Sequence, residues 1–186
     1  MKLFAIAGHS PDFPGALAYN GKYEHYYTKG LQSRVLNISN ILSGYRMEIF
    51  PVRSTFSLSE KINWVNQKCR EGDRLIDIHF NYNHPTATGT EVFVHPDTTE
   101  ENQRTATVLV QQVSELLGIP VRRSVPGRAY KYDTESQHDT LGIIRRTRVP
   151  AILLEVCFMN EGDLHKYKGK EPQIAAAILD AYNERH

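Results

Sequence analysis

Three apolar, strand-like segments are followed by, or contain, a side chain that packing does not require. His9 follows an apolar run near the N-terminus, His79 lies within Leu75–Phe80, and Glu155 lies within Ala151–Val156. An isolated carboxylate in an apolar strand costs several kcal/mol unless it is paired, protonated or close to a cation. If the strands are parallel, the three side chains meet at the carboxyl edge of the sheet, where open α/β sheets bind their ligands.

Two histidines and a carboxylate are the ligand types of a catalytic zinc ion, which takes three protein ligands and leaves one position for water. If Glu155 serves as a base instead, the third ligand must come from elsewhere. The loop after His9 offers Asp12, Glu24 and His25. Spacing alone does not choose among these three residues.

Simpler roles exist for the acidic residues. Glu155 can form an ion pair with one of the nearby arginines, Arg145, Arg146 or Arg148. Asp77 is two positions before His79, on the same face of the strand, so it can orient a histidine that binds a metal. Pairing of Asp77 with a basic residue is the stronger expectation.

The positions of apolar residues predict five strands interleaved with four helices. The strands are Leu3–Ala7, Ile49–Val52, Leu75–Phe80, Glu91–Val94 and Ala151–Val156, and the fourth is a candidate for an antiparallel orientation. This alternation predicts an α/β fold, a three-layer sandwich in which helices flank a central, mostly parallel sheet.

Apolar stripes and capping residues mark the helices. The first carries Leu31, Val35, Ile38 and Leu42 and is expected to end near Gly44; the last carries Ile174, Ala177, Ile178 and Ala181. Between them, Ser57 with Glu60 and Thr98 with Glu101 form two capping boxes, whose helices end before Gly72 and Gly118. Residues 120–139 show no clear period and are expected to form a long surface excursion.

Composition bounds the function. The chain has 186 residues, of which 40% are hydrophobic, and a formal net charge of +1. This balance excludes intrinsic disorder and gives no general attraction to nucleic acid or to an anionic membrane. No apolar run approaches the roughly 20 residues of a membrane-spanning helix. Two cysteines are too few for a disulfide framework.

Three blocks of the sequence resemble the zinc-dependent N-acetylmuramoyl-L-alanine amidases, including the catalytic domains of phage endolysins. The first block is Ala7-Gly8-His9-Ser10, then Gly15-Ala16, then Gly21 and Glu24 ahead of a helix. The second is Ile78-His79-Phe80-Asn81 followed by Gly89-Thr90-Glu91-Val92. The third is Pro150 to Glu155 followed by Phe158 and Asn160. The blocks occur in the family order between positions 5 and 160.

The resemblance implies that His9, Glu24 and His79 bind Zn²⁺ and that Glu155 is the general base. It implies one catalytic amidase domain over residues 1–186, without a separate wall-binding domain. The expected substrate is peptidoglycan, cleaved between the lactyl group of N-acetylmuramic acid and the L-alanine of the stem peptide. The alternatives are a zinc carboxypeptidase or other peptidase acting on stem peptides, and a non-catalytic module that binds cell walls.

Other residues are candidates for contacts with such a substrate. Asn81 lies in the second block, and Arg146 and Arg148 can bind carboxylates of a stem peptide. Tyrosines can stack on sugar rings, although surface tyrosines need no such role; the candidates are Tyr23, Tyr26, Tyr27, Tyr130 and Tyr132.

The N-terminus has one positive charge and only a short apolar stretch, which does not match a secretory signal. The expectation is therefore synthesis in the cytoplasm and action on the cell wall after phage-type release, or secretion by another route. No membrane insertion is expected. The sequence gives no prediction of the oligomeric state.

Overall fold

A mixed sheet lies at the centre of the computed structural model, which describes residues 1–42, 44–136 and 141–183. In these ranges the sheet has the strand order β2-β1-β3-β6-β4-β5. The strands are β1 (Lys2–Ala7), β2 (Glu48–Pro51), β3 (Arg74–Asn81), β4 (Glu91–Val94), β5 (Lys131–Tyr132) and β6 (Ala151–Phe158). All neighbouring strands are parallel except β4 and β6, which are antiparallel. The mostly parallel sheet and the antiparallel orientation of Glu91–Val94 are confirmed.

Helices cover both faces of the sheet, which confirms the three-layer sandwich. They are α1 (Glu24–Ile41), α2 (Leu58–Lys68), α3 (Glu100–Leu117), α4 (Gly142–Arg146), α5 (Glu161–Tyr167) and α6 (Glu171–Asn183). One core contains Leu31 of α1, Leu109 of α3 and Ile178 of α6. The core on the opposite face contains Ile62 of α2 and Ile143 of α4. None of the helices in the described ranges is long and apolar enough to cross a membrane.

Strand alternation determines which side chains share a face. Leu75 of β3 and Leu153 of β6 pack into the core under α2 and α4. Residues two and four positions further along a strand point to the same face. Asp77, His79 and Glu155 therefore lie on the α2/α4 face, towards the carboxyl ends of the parallel strands.

Three predicted helix boundaries are wrong by one to three residues. Helix α2 ends at Lys68, with Cys69 rather than Gly72 as its C-cap. The N-cap of α3 is Thr99, whose hydroxyl accepts a hydrogen bond from the Asn102 N–H at 3.2 Å, rather than Thr98. Helix α1 ends at Ile41, before the expected Gly44, because Ile41 and Leu42 are 77% and 49% exposed and no longer face the core. The capping box of Ser57 and Glu60 and the left-handed Gly118 after α3 are confirmed.

The expected surface excursion over residues 120–139 contains ordered structure. Lys131 and Tyr132 form β5, which pairs with β4, and a single 3₁₀ turn follows at Asp133–Glu135. Residues 137–139 of that prediction lie outside the described ranges. Helices α4 and α5 were not predicted; at five and seven residues they are too short to show a period.

Candidate metal centre

His9 reaches the carboxyl edge of the sheet on an unusual backbone. It has φ of 63°, and it is the one residue other than glycine with a positive φ in the described ranges. The turn begins at Gly8, whose N–H donates to the Ile78 carbonyl at 2.8 Å. A Cβ at Gly8 would lie 2.6 Å from the imidazole of His79, so only glycine permits this approach.

Glu24, the first residue of α1, joins the two histidines. Its Oε2 lies 2.9 Å from Nε2 of His9, and its Oε1 lies 3.0 Å from Nδ1 of His79. The Phe80 N–H also donates to Oε1, at 3.0 Å. Burial opposes ionisation of this carboxyl, but the contacts with His79 and His9 outweigh it and lower the pKa of Glu24 to about 2.

His79 is held from both sides. Its Nδ1 faces Glu24, and its Nε2 lies 3.2 Å from Oδ2 of Asp77. Burial lowers the pKa of His79, but the charges and hydrogen bonds of Asp77 and Glu24 raise it well above the ordinary value. The contact between Asp77 and His79 supports the orienting role that the sequence ranked second. A carboxylate on the far ring nitrogen is the usual partner of a histidine that binds a metal.

The donor set fits a zinc ion. One ligand atom from each of His9, Glu24 and His79 lies within 4.8 Å of the others. Two imidazole nitrogens and one carboxylate oxygen form a typical three-ligand set for catalytic zinc. The other two candidates of the loop do not join them, because Asp12 is exposed and His25 Nδ1 faces the Gly8 carbonyl at 3.4 Å.

Glu155 lies beside this centre. It pairs in register with His79 on one side and with Glu91 on the other. Its Oε2 is buried and has no hydrogen-bond partner among the described residues. Burial raises the pKa of Glu155 to about 8; nearby His79 opposes the shift, and carboxylates including Glu91 add to it. The alternative ion pair with Arg145 is not formed, because Arg145 Nε contacts Asp133 Oδ2 at 2.5 Å.

Comparison with known proteins identifies the family. A family profile described as N-acetylmuramoyl-L-alanine amidase matches residues 4–184. The chain belongs to this amidase family. No functionally curated protein matches the sequence.

Solved amidase structures share the fold over nearly the whole chain. The catalytic domain of CwlV, an N-acetylmuramoyl-L-alanine amidase from Bacillus (Paenibacillus) polymyxa var. colistinus, has a TM-score of 0.76 at 22% identity, with 97% of this chain and 96% of that chain covered. The catalytic domain of an endolysin targeting Clostridia difficile has a TM-score of 0.74 at 21% identity, with 98% of this chain and 96% of that chain covered. A putative N-acetylmuramoyl-L-alanine amidase from Neisseria meningitidis has a TM-score of 0.70 at 25% identity, with 97% of this chain and 92% of that chain covered.

Of the three candidates for substrate contact, the amidase structure places only Asn81 beside Glu155. Both line one cleft, and Asn81 Nδ2 donates to Glu91 Oε1. Arg148 lies at the opposite end of the sheet, in a depression that also contains Arg74, where β3 begins. Four residues of strand separate the start of β6 from Glu155, about 13 Å.

Arg146 likewise lies away from the metal centre in the amidase. It is the last residue of α4, its carbonyl accepts a hydrogen bond from Asn66 Nδ2 of α2 at 2.8 Å, and its side chain is exposed. Positive charge alone had suggested a role for Arg146 and Arg148. The sequence did not show which end of the sheet they occupy, and we do not retain them as substrate contacts.

Sequence reasoning missed Lys61 and Glu91. Lys61 of α2 is 3% exposed, and its Nζ donates to the carbonyls of Ala7, at 2.6 Å, and His9. The signal was present, because Lys61 lies three residues after Leu58, on the face of the helix that the apolar stripe defines.

Glu91 is a second carboxylate in a buried strand, which is the same signal that singled out Glu155. Its charge is balanced by Lys131, whose Nζ donates to Oε2, and by Arg122, whose Nε lies 3.7 Å from the same oxygen. The antiparallel pairing of β4 with β6 places Glu91 opposite Glu155. Only the sheet order shows this juxtaposition.

The candidate stacking tyrosines are mostly engaged in packing. Tyr27 is buried against Phe80 and Tyr167. Tyr130 and Tyr132 are half-buried and contact the Arg128 guanidinium. Tyr23 and Tyr26 are exposed, and neither lines the cleft that contains Glu155.

Proposed function

We propose that this amidase holds a zinc ion with His9, Glu24 and His79 and cleaves the amide between the lactyl group of N-acetylmuramic acid and L-alanine. The observation that carries the proposal is the grouping of three ligand atoms within 4.8 Å beside the buried, unpartnered Oε2 of Glu155. The family match over residues 4–184 supports peptidoglycan as the substrate of this catalytic unit.

Zinc in such a site supplies a Lewis acid for the scissile carbonyl and lowers the pKa of water towards roughly 7. Glu155 then serves as the general base. It accepts a proton from the water that attacks the carbonyl carbon, and it delivers that proton to the L-alanine nitrogen as the C–N bond breaks. The products are a lactyl carboxylate and a peptide with a new amino terminus.

The environment of Glu155 suits both proton transfers. Without a cation, burial holds its pKa near 8, and a divalent cation lowers that pKa by Coulomb attraction. A base whose pKa lies close to the working pH can both take and return a proton. Asn81, in the same cleft, is the residue that we propose to contact the substrate.

The test combines product analysis with a metal titration. Purified protein is treated with a chelator, reloaded with Zn²⁺ and incubated with peptidoglycan, and the products are identified by mass spectrometry. We expect new L-alanine amino termini and free lactyl groups only after reloading. Release of C-terminal residues from the stem peptide would indicate a carboxypeptidase instead. Absence of any cleavage would indicate a binding module.

The role of Glu155 is tested by Glu155→Gln. We expect bound zinc to stay at the wild-type level and kcat to fall by roughly 10²–10⁴-fold, the usual contribution of a general base. Glu115→Gln, at an exposed position of α3, is the control and should keep wild-type activity. Wild-type turnover by Glu155→Gln would overturn the assignment.

A further inference from the structure

A second cleft, of about 780 Å³, lies next to the cleft that contains Glu155. Its walls include Leu17 and Tyr19 from the loop after β1, Tyr82 from the loop after β3, and Phe158 at the end of β6. Tyr19 is 56% exposed and Tyr82 is 62% exposed. Two uncovered aromatic rings in a concave surface of this size fit a ligand with apolar faces.

The cleft is fixed relative to the metal centre. The Tyr19 N–H donates to the Met159 carbonyl at 3.2 Å, and the Met159 N–H donates to the Asn81 carbonyl at 2.8 Å. Tyr82 directly follows Asn81, the last residue of β3. The strands that carry His79 and Glu155 therefore also position both tyrosines.

The two clefts meet but differ in the side chains that line them. Phe158 and Asn83 line both of them. The cleft with Glu155 also contains Glu91, Glu135, Arg122 and Lys131, and Glu91 pairs with both cations. Among the described residues that line the second cleft, Glu161 is the single charged side chain. One cleft is thus lined by ion-paired side chains next to the proposed base, and the other presents aromatic and amide groups.

We propose that the Tyr19–Tyr82 cleft binds the saccharide part of the substrate, with the stem peptide in the adjoining cleft that contains Glu155. This inference rests on the proposed function. On one side of the scissile amide the substrate carries an acetamido sugar, whose C–H faces stack on aromatic rings and whose amide and hydroxyl groups hydrogen-bond to residues such as Asn83. On the other side it carries a peptide, whose amide and charged groups match the polar side chains of the cleft with Glu155.

The test compares two substrates that share the scissile amide. One is a muropeptide with its disaccharide, and the other is the lactyl-peptide without sugar. For Tyr82→Ala and Tyr19→Ala we expect kcat/KM on the muropeptide to fall roughly tenfold, mainly through KM, as expected for the loss of one stacking contact. Activity of both variants on the lactyl-peptide should remain at the wild-type level.

Two matched variants separate stacking from general effects. Tyr82→Trp keeps an aromatic face and should stay within about twofold of wild type. Tyr26→Ala removes a tyrosine that is 57% exposed but does not line the cleft. It should leave kcat/KM on both substrates unchanged. Equal losses on both substrates, or no loss on the muropeptide, would overturn the proposal.

A binding measurement keeps the inference separate from the reaction. A tetramer of N-acetylglucosamine, which lacks the scissile amide, is titrated into the wild type and into Tyr82→Ala by calorimetry. We expect binding by the wild type and at least about fivefold weaker binding by the variant. If the wild type cleaves neither substrate, the proposed function fails, but the titration still decides on the cleft. No binding by the wild type would overturn the saccharide assignment.

Discussion

His9 presents its imidazole to Glu24 from a left-handed backbone conformation. That conformation costs a residue with a side chain roughly 1–2 kcal/mol. The Lys61 ammonium group spans the turn by donating to the carbonyls of Ala7 and His9. We therefore propose Lys61 as a positioning residue, which keeps the His9 imidazole directed at Glu24 and the candidate metal centre.

Replacement of Lys61 should weaken metal binding. Lys61→Met removes both hydrogen bonds, and we expect zinc affinity to fall by roughly 10–100-fold, as for other residues that orient a ligand. Lys61→Arg, which keeps a cationic donor, should recover most of the affinity. Lys29→Met, at an exposed position of α1, is the control. Competition with a chelating dye measures zinc affinity, and the Co²⁺ spectrum reports ligand geometry. An unchanged spectrum and affinity in Lys61→Met would contradict the role.

The pKa of Glu155 predicts how the stability of metal-free protein depends on pH. The folded state raises this pKa from 4.5 to about 8, so it binds the proton more tightly than the unfolded chain. The contribution of Glu155 to the free energy of unfolding is fully present below pH 4.5 and is lost as the pH rises through about 8. Glu155→Gln has no ionisable group at this position, so its stability does not decrease in this way as the pH rises.

With chelator present, the Tm of Glu155→Gln is compared with that of wild type at pH 5 and at pH 9. We expect the difference in favour of the variant to be larger at pH 9 than at pH 5 by at least about 4 °C. At this chain length, roughly 2–4 °C of Tm corresponds to 1 kcal/mol. Thermal unfolding followed by circular dichroism measures the difference. Glu115→Gln should run parallel to wild type at every pH. A pH-independent difference would show that Glu155 ionises normally in the fold.

The residues of the candidate site could be predicted from the sequence to different degrees. His9, His79 and Glu155 could be predicted because polar groups in apolar strands conflict with packing. Glu24 could be chosen over Asp12 only through the family resemblance. That choice depends on where the loop folds back against His79, which spacing does not show.

The same element order that brings the ligands together also sets the walls of the site. Parallel strands β1, β3 and β6 end at one edge, and the antiparallel β4 places Glu91 opposite Glu155. Helix α5 follows β6 in the sequence, and its hydrogen bonds hold the end of β6 against the loop before β4. Its Asp163 is 2% exposed and accepts hydrogen bonds from the Thr88 hydroxyl at 2.6 Å, the Gly89 N–H and the Phe158 N–H.

Loss of the Asp163 carboxylate should destabilise the fold. Asp163→Ala leaves buried N–H groups without an acceptor, and we expect unfolding free energy to fall by about 3 kcal/mol. The corresponding decrease in Tm is roughly 6–12 °C. Asp97→Ala, at a side chain that is 92% exposed, should change the Tm by less than about 2 °C. Urea unfolding measures both free energies, and equal values for the two variants would refute the structural role.

At this scale the sequence predicted the long elements and missed the short ones. Strand runs and helical stripes carry their own periodicity, so β1, β3, β6 and α3 could be located within a few residues. Helices α4 and α5 and the two-residue β5 depend on contacts with distant parts of the chain, such as the pairing of Lys131 with Phe93. No local pattern encodes such contacts.

Across the whole molecule, the proposed zinc ion joins elements that lie far apart in the sequence. His9 follows β1, Glu24 begins α1 and His79 lies in β3. A ligand that binds only the folded state stabilises it by about 4 kcal/mol at a thousandfold excess over its Kd. On the proposed function, the metal therefore contributes to stability as well as to chemistry.

Removal of zinc should lower the thermal stability of the wild type by roughly 8–16 °C at that excess. His79→Ala should lose this zinc-dependent increase. His95→Ala, at a half-buried histidine outside the metal centre, should keep it. Differential scanning calorimetry in chelator and in zinc measures each shift. A wild-type Tm that does not respond to zinc would contradict the metal centre.

The two borders of the sheet affect how the folded enzyme behaves in concentrated solution. One outer strand, β2, has four residues and includes Pro51, which has no N–H to donate; the other, β5, has two residues. Strands of another molecule gain almost no ladder hydrogen bonds at such borders, so stacking into fibrils is not nucleated from the native state. Irreversible loss of activity on heating should therefore follow global unfolding, and conditions that raise the Tm should lengthen the time for which the stored protein stays active.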